Sequence, residues 1–225
     1  MSFNIAIDGP AGAGKSTIAK ALAKKISFLY VDTGAMYRAM AYYFLQHQID
    51  PDNGKQIADA CSDIQIELKY LDQVQQVFLN GTNITEYIRA EEVGNMASAT
   101  SGYPVVREKL LLLQKQIASA TDVIMDGRDI GTTVLPNAQL KVYLTASVQT
   151  RASRRFEELK QKGISCNLNE IESDISKRDK QDMERNVSPL RQAEDAVLVD
   201  SSDMTITDVV EHLFQLAVKA GYQRG

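Results

Sequence analysis

The chain has 225 residues, about one and a half times a ~150-residue domain. That length suits one α/β domain carrying extra elements better than two independent domains. Apolar residues make up 44 % and charged residues 24 %, which excludes a disordered tail protein. With 25 Lys and Arg against 29 Asp and Glu, the net charge is −4, a balance that argues against a nucleic-acid polymer as partner.

Apolar runs such as Leu110 to Leu113 are far short of the ~18–20 residues a membrane span needs. The N-terminus, MSFNIAID, lacks the basic and long apolar regions of a secretory signal. Cys61 and Cys166 stand far apart and in no CxxC pattern, and His47 and His212 are isolated. These residues offer no metal site, disulfide framework or His-based triad. The expectation is a cytoplasmic, membrane-free protein, and a monomer, since no long exposed apolar helix asks for a partner.

In chain order, Phe3 to Asp8 (FNIAID) is predicted as a short strand ending at Gly9. Lys15 to Ile26 places Ile18, Leu22 and Ile26 at helical spacing. Phe28 to Val31 is a second strand, and Thr33 to Gln46 a helix that Thr33 can cap. Pro51 to Gly54 is a turn cluster. The period then changes: Ile64 to Tyr70 and Val74 to Leu79 alternate, and Asn80-Gly81 is a hairpin turn before Thr82 to Ile84. This antiparallel patch between βα units has the character of an insert.

Helical pattern resumes near Glu91, breaks at Gly102-Tyr103-Pro104 and continues through Ala118. Asp122 to Met125, Leu140 to Leu144 and Ala196 to Val199 are compact apolar strands. Ser147 to Lys160 and Leu168 to Arg185 are charged helices around a break at Gly163, and Thr205 to Ala220 is a closing amphipathic helix. Such alternation predicts an α/β fold with a parallel sheet flanked by helices.

Gly9-Pro10-Ala11-Gly12-Ala13-Gly14-Lys15-Ser16 fits G-x-x-x-x-G-K-[ST] at every fixed position, with a strand before it and a helix after. The glycines let backbone N–H groups converge on phosphate oxygens, and the helix presents its positive end to the same anion. Lys15 is expected on the β- and γ-phosphates, the Ser16 hydroxyl on Mg²⁺, and Thr17 near the α-phosphate. This motif makes a nucleoside triphosphate the expected ligand. No Asn-Lys-x-Asp tetrad for guanine reading occurs, which speaks against a GTPase switch.

Arginines recur after this loop. Arg151, Arg154 and Arg155 stand at i, i+3, i+4, and Arg178, Asp182 and Arg185 at i, i+4, i+7, each set on one predicted helix face. Charged stripes are ordinarily solvated and paired, here with Glu157, Glu158, Glu172 and Asp174. Beside a triphosphate loop they also suit a second anionic substrate, because phosphoryl transfer spreads negative charge that arginines stabilise once water is excluded.

With GPAGAGKST (Gly9 to Thr17), DTGAMYR (Asp32 to Arg38), the Ala97 to Arg107 stretch, DGRDIGT (Asp126 to Thr132) and R-x-x-x-D-x-x-R (Arg178 to Arg185), the sequence resembles the bacterial cytidylate kinase family over essentially its whole length. The resemblance implies a kinase that passes the γ-phosphoryl of Mg·ATP to CMP or dCMP. It implies that Thr33 contacts the nucleoside and that Arg38, Arg128 and Arg185 grip the acceptor phosphate. By the same resemblance, Arg178 and Asp182 read the ribose, and Ser98, Arg107 and Asp129 read the cytosine edge. Lys15, Arg128, Arg154 and Arg185 form the expected catalytic set, with Arg154 also on ATP. Asp126 resembles a Walker-B acid standing behind the metal's water.

The implied organisation is a core (about 1–60, 104–150 and 186–225), an acceptor-binding insert (about 61–103) and a lid with its following helix (about 151–185). Cytosine offers an amine donor beside a ring acceptor and uracil reverses both, so a hydrogen-bonding pocket separates them. Two alternatives stay open: a kinase of another monophosphate such as UMP, and a non-catalytic P-loop nucleotide-binding regulator. The basic residues Lys15, Arg38, Arg107, Arg128, Arg151, Arg154, Arg155, Arg178 and Arg185 are all expected in one cleft.

Overall fold

A computed structural model describes residues 2–72 and 74–223. Five parallel strands form the central sheet in the order β2-β6-β1-β7-β8. They are β1 (Asn4–Asp8), β2 (Leu29–Asp32), β6 (Val123–Gly127), β7 (Leu140–Thr145) and β8 (Val197–Asp200). Three more strands, β3 (Ile66–Leu71), β4 (Val74–Leu79) and β5 (Thr82–Asn83), make a separate antiparallel sheet.

Alternation along the central strands sends side chains to both faces. Ile5 and Ile7 of β1 and Ile124 of β6 pack with Ile18 and Leu22 of helix α1 (Lys15–Ile26) and Leu213 of α8 (Ile206–Lys219). Ala6, Val31, Val123 and Met125 face the other way, against Ala118 of α5 (Pro104–Ala120). Both faces are covered, which is the environment a parallel sheet of apolar strands needs.

A third apolar cluster joins the insert to the core. Val77, Leu79, Ile84 and Ile88 are buried with Met36, Met40 and Phe44 of α2 (Thr33–Gln46) and Val106 and Leu110 of α5. Each such fully buried aliphatic side chain is worth roughly 1.5–3 kcal/mol. Asn80 and Gly81 both carry positive φ, 47° and 81°, so the Asn-Gly pair makes the tight turn its type demands.

Three local expectations are corrected and two elements are added. Thr33 does not cap α2; Asp32 does, its carboxylate accepting from the Ala35 N–H at 3.0 Å, while Thr33 is the first helical residue. Residues 54–63, read only as following a turn, form helix α3 (Gly54–Asp63), capped by Asn53, and β3 starts at Ile66 rather than Ile64. Residues Ile130–Val134 after β6 form a π-helical turn. Arg185 lies past the end of α7 (Leu168–Glu184) in extended conformation, not on the helix. The remaining helices are α4 (Glu91–Thr100) and α6 (Val148–Gln161).

Candidate active site

The carboxyl ends of β1, β2, β6 and β7 define the site. Leaving β1, the chain turns at Gly9, whose φ is 151° and where a Cβ would sit 1.9 Å from the Leu144 carbonyl oxygen. Only glycine fits that approach. The loop closes at Gly14 (φ 85°), the N-cap of α1, so Lys15, Ser16 and Thr17 form the first turn with Thr17 exposed. Pro10 and Ala11 turn their carbonyls inward: Pro10 O accepts from Lys15 Nζ at 2.8 Å and Ala11 O from Arg151 Nη1 at 2.9 Å. Ala13 is buried beneath the loop.

Lys15 is buried, and desolvation together with the Arg128 charge lowers its pKa to about 7. Beside it, Ser16 Oγ donates to Asp126 Oδ2 and Tyr30 Oη to Asp126 Oδ1, both at 2.8 Å. Burial, reinforced by the Asp32 carboxylate, pushes the Asp126 pKa up. One hydroxyl and one carboxylate suit a magnesium ion, which keeps several waters and takes few protein ligands. Among the described residues, no group of three or more His, Cys, Asp or Glu offers a fuller cage.

Asp8, the last residue of β1, accepts from the Ile130 and Gly131 N–H groups, both at 2.7 Å. Its burial raises its pKa to about 6. The segment that carries Arg128 and Asp129 is thereby pinned to the strand that launches the phosphate loop. Arg128 Nε donates to Asp182 Oδ2 at 2.7 Å. Burial opposes the Arg128 charge, but Asp182, joined by Asp126 and Asp179, outweighs it and raises the pKa.

On the other side of the cleft, Thr33 Oγ1 donates to the Asp126 carbonyl at 2.7 Å, and Arg38 Nη1 donates to Ile88 O at 3.2 Å. Arg178 Nη2 reaches Gly94 O of α4 at 3.4 Å, and Ser98 of the same helix meets Gln181 of α7 at 3.3 Å. Asp182 and Arg185 come from the end of α7 and the residue beyond it. Burial lowers the pKa of Arg38, Arg178 and Arg185 alike, and neighbouring guanidinium groups lower each further. Cations held against burial and against one another favour an anion between them.

Asp129 pairs with Arg107, both buried, and lies 3.7 Å from Arg185. The Arg107 guanidinium lies 5.5 Å from the Tyr37 ring centre. A cavity of about 160 Å³ opens there, lined in part by Tyr37, Pro104, Gln114 and Ser188. Its lining combines the Tyr37 ring with the hydrogen-bonding groups of Arg107, Gln114 and Asp129.

The arginines of α6 do not share one destination. Arg151 is buried and bonded to Ala146 O, Ala11 O and Asp179. Arg154 donates to Ser201 O (2.7 Å) and Ser201 Oγ (3.3 Å) at the end of β8. Arg155 pairs with Glu158, and its charge is felt at Arg38 and Arg178. The expected single basic face therefore divides: Arg151 braces the loop, Arg154 meets β8, and Arg155 adds its charge near Arg38 and Arg178.

Asp8, Tyr30, Asp32 and Tyr37 belong to the site although the motifs did not single them out. Their signal was adjacency: Asp8 immediately precedes the Gly-rich loop, and Asp32 and Tyr37 lie within DTGAMYR.

Residues 5–219 match the sequence profile of the family described as Cytidylate kinase. The Cytidylate kinase of Caldicellulosiruptor bescii is 49 % identical over 217 residues, covering 96 % of each chain. That of Bacillus subtilis is 47 % identical over 213 residues, covering 95 % of each. Among solved structures, Acinetobacter baumannii shikimate kinase superposes with a TM-score of 0.50 at 16 % identity, over 99 % of this chain and 97 % of that one. An uncharacterized protein from Eubacterium ventriosum gives 0.55 at 10 % identity, over 96 % and 98 %; at such identities the likeness is one of fold. Matched by this family model over residues 5–219 and by these relatives over 95–96 % of its length, the chain belongs to the cytidylate kinase family.

Proposed function

We propose that the protein transfers the γ-phosphoryl group of Mg·ATP to CMP or dCMP, giving ADP and CDP or dCDP. The observation that carries this reading is the half-buried group Arg38, Arg178 and Arg185, each depressed by burial and by its cationic neighbours, linked to Lys15 through Arg128, whose charge is felt at both Lys15 and Arg178. Two anion sites on one cleft are what transfer between two phosphorylated substrates requires.

In this reading, the loop from Gly9 to Thr17 holds the donor, and Lys15 leaves Pro10 O to meet the β- and γ-phosphates. Bound Mg²⁺ supplies charge neutralisation on the donor phosphates; Ser16 holds it, and Asp126 orients the Ser16 hydroxyl and the surrounding water. Arg38, Arg128 and Arg185 fix the acceptor phosphate in line, with Arg128 aimed by Asp182. Arg178 and Asp182 take the ribose, and Thr33 the nucleoside beside it. Arg107, Asp129 and Ser98 read the base: carboxylate and hydroxyl oxygens accept from the cytosine amine, and Arg107 donates to the ring nitrogen and carbonyl. Arg154 serves the donor nucleotide from the end of β8. No covalent intermediate is needed, because positioning and charge compensation supply the catalysis.

The proposed organisation is a core with an acceptor-binding insert (about 61–103) and a lid (about 151–185). Burial of the insert against α2 and the contacts of Arg178 and Gln181 with α4 support it. The working state is proposed to be a cytoplasmic monomer; Cys61 and Cys166, both free, accord with a reducing compartment. No helix among the described residues is long and apolar enough to cross a membrane.

The test is ADP release with Mg·ATP and CMP, dCMP, UMP, AMP or GMP in turn. Release dependent on CMP and dCMP, with UMP well behind, is expected. Preference for another monophosphate overturns the cytosine reading, and nucleotide binding without acceptor-dependent release overturns the kinase reading.

A further inference from the structure

β2 is an edge strand, so the outward backbone groups at its end need a partner from outside the central sheet. At Asp32 that partner is a side chain. Gln75 Oε1 accepts from the Asp32 N–H at 2.9 Å, and Gln75 Nε2 donates to the Asp32 carbonyl at 3.3 Å. The primary amide thus makes the two-way bond that a neighbouring strand would make. Gln75 lies near the start of β4, opposite Tyr70 in the insert hairpin.

The residue so held joins both halves of the site. The Asp32 carboxylate caps α2 through Ala35 N at 3.0 Å and lies 3.8 Å from Arg89. It favours the charged form of Arg38 and opposes ionisation of Asp126. The next residue is Thr33, bonded to the Asp126 carbonyl, and Arg38 follows on the same helix. A shift of the Asp32 backbone therefore moves the acceptor side while the phosphate loop, which hangs from β1, stays in place.

Docking of the hairpin does not depend on the amide. Val77, Leu79, Ile84 and Ile88 already bury the insert against α2 and α5. The Gln75 amide adds register at one point, the junction of β2 with α2.

We infer that Gln75 is a positioning residue that sets the acceptor side from the insert, by holding the Asp32 backbone from which Thr33 and Arg38 are placed. This rests on the proposal that Thr33 and Arg38 serve the acceptor.

The experiment compares Gln75→Met, which keeps length and loses both bonds, with Gln75→Glu, which keeps an acceptor and loses the donor. Arg38→Met is the control. Initial rates give KM for CMP and for ATP separately, and hydrogen exchange reads the Asp32 amide without turnover. Gln75→Met is expected to raise the CMP KM about tenfold, the scale of a lost partly buried hydrogen-bond pair, with the ATP KM within about twofold. Exchange at Asp32 should quicken in Gln75→Met and stay slower in Gln75→Glu, which retains the acceptor for that N–H.

An unchanged CMP KM in Gln75→Met while Arg38→Met raises it overturns the inference alone. An unchanged CMP KM in Arg38→Met overturns the reading of Arg38 beneath it. Equal rises in both KM values, or loss of fold in Gln75→Met with Gln75→Glu behaving as wild type in CMP KM and Asp32 exchange, reduce Gln75 to a general structural role and also overturn the inference.

Discussion

Arg151 and Asp179 form a buried ion pair, 2.6 Å from Nη2 to Oδ2, that ties α6 to α7. The same guanidinium donates to Ala11 O and Ala146 O, both at 2.9 Å, so α6 and α7 brace the Gly-rich loop after β1. Arg151→Met leaves the Asp179 carboxylate buried without its cation, at a cost of about 3–5 kcal/mol. For a chain of this length that lowers the melting temperature by roughly 10 °C or more. The double variant Arg151→Met, Asp179→Leu should recover much of the loss, since removing both charges removes the desolvation cost as well. Thermal unfolding of the four proteins in the cycle checks this. A single variant as stable as wild type would show the pair to be dispensable.

Lys15, with a pKa lowered to about 7, is largely neutral at pH 8 when no phosphate is near. A triphosphate around it favours the ammonium form and draws a proton from solvent. Nucleotide binding at pH 8 should therefore be accompanied by uptake of up to about one proton, declining towards pH 6, where Lys15 is already charged. Calorimetry in buffers of different ionisation enthalpy measures that uptake. Lys15→Met should abolish it and lower turnover on the order of a hundredfold or more. Equal proton uptake in the variant would assign the proton elsewhere.

Asp8 gives a stability signature of opposite sign to the usual carboxylate. Its folded pKa is raised by burial from 3.8 to about 6, so the folded chain binds the proton more tightly than the unfolded one. The stability this contributes is present below pH 4 and is lost as the pH rises through 6. Asp8→Asn has no such dependence, and it leaves one of the Ile130 and Gly131 N–H groups without an acceptor. The variant should be less stable than wild type throughout, with the gap largest near pH 4 and narrowing by on the order of 2–3 kcal/mol towards pH 7. Denaturation midpoints across that range test it; parallel curves would remove Asp8 as the source.

The parallel sheet, though not its strand order, was legible because each strand is a compact apolar run, and a parallel arrangement needs such strands covered on both faces. Helix α3 was missed although Ile57, Ala60 and Cys61 stand at i, i+3, i+4, because the turn cluster before it and the alternating run after it drew the boundaries. The phosphate loop could be placed to the residue, since its spacing is the site. Helical spacing put Arg151, Arg154 and Arg155 on one flank, but it carries no information about partners. Asp179 captures the first, Ser201 the second and Glu158 the third, and those partners arrive through tertiary contacts or local choice. For the same reason the partners of Asp8 and Gln75 could not be read: each acts on backbone groups distant in sequence.

Asp129 stands between Arg107 and Arg185 and is the buried carboxylate of the cavity beside Tyr37, which on the proposed function takes the base. As an acceptor it suits the amine of cytosine and opposes the carbonyl that uracil presents at the same place. Asp129→Asn exchanges one acceptor for a donor with almost no change in shape. It also removes the charge that separates two guanidinium groups, so CMP turnover falls through looser placement of Arg107 and Arg185. Uracil, by contrast, gains a donor for its carbonyl. The ratio of kcat/KM for CMP to that for UMP should drop on the order of a hundredfold, more than the loss in CMP alone, because a buried polar edge discriminates by what it leaves unpaired. Asp129→Ala separates the two effects: it should weaken CMP without helping UMP. A ratio unmoved by Asp129→Asn would place the base edge away from this cavity and leave Asp129 as the spacer of its two arginines.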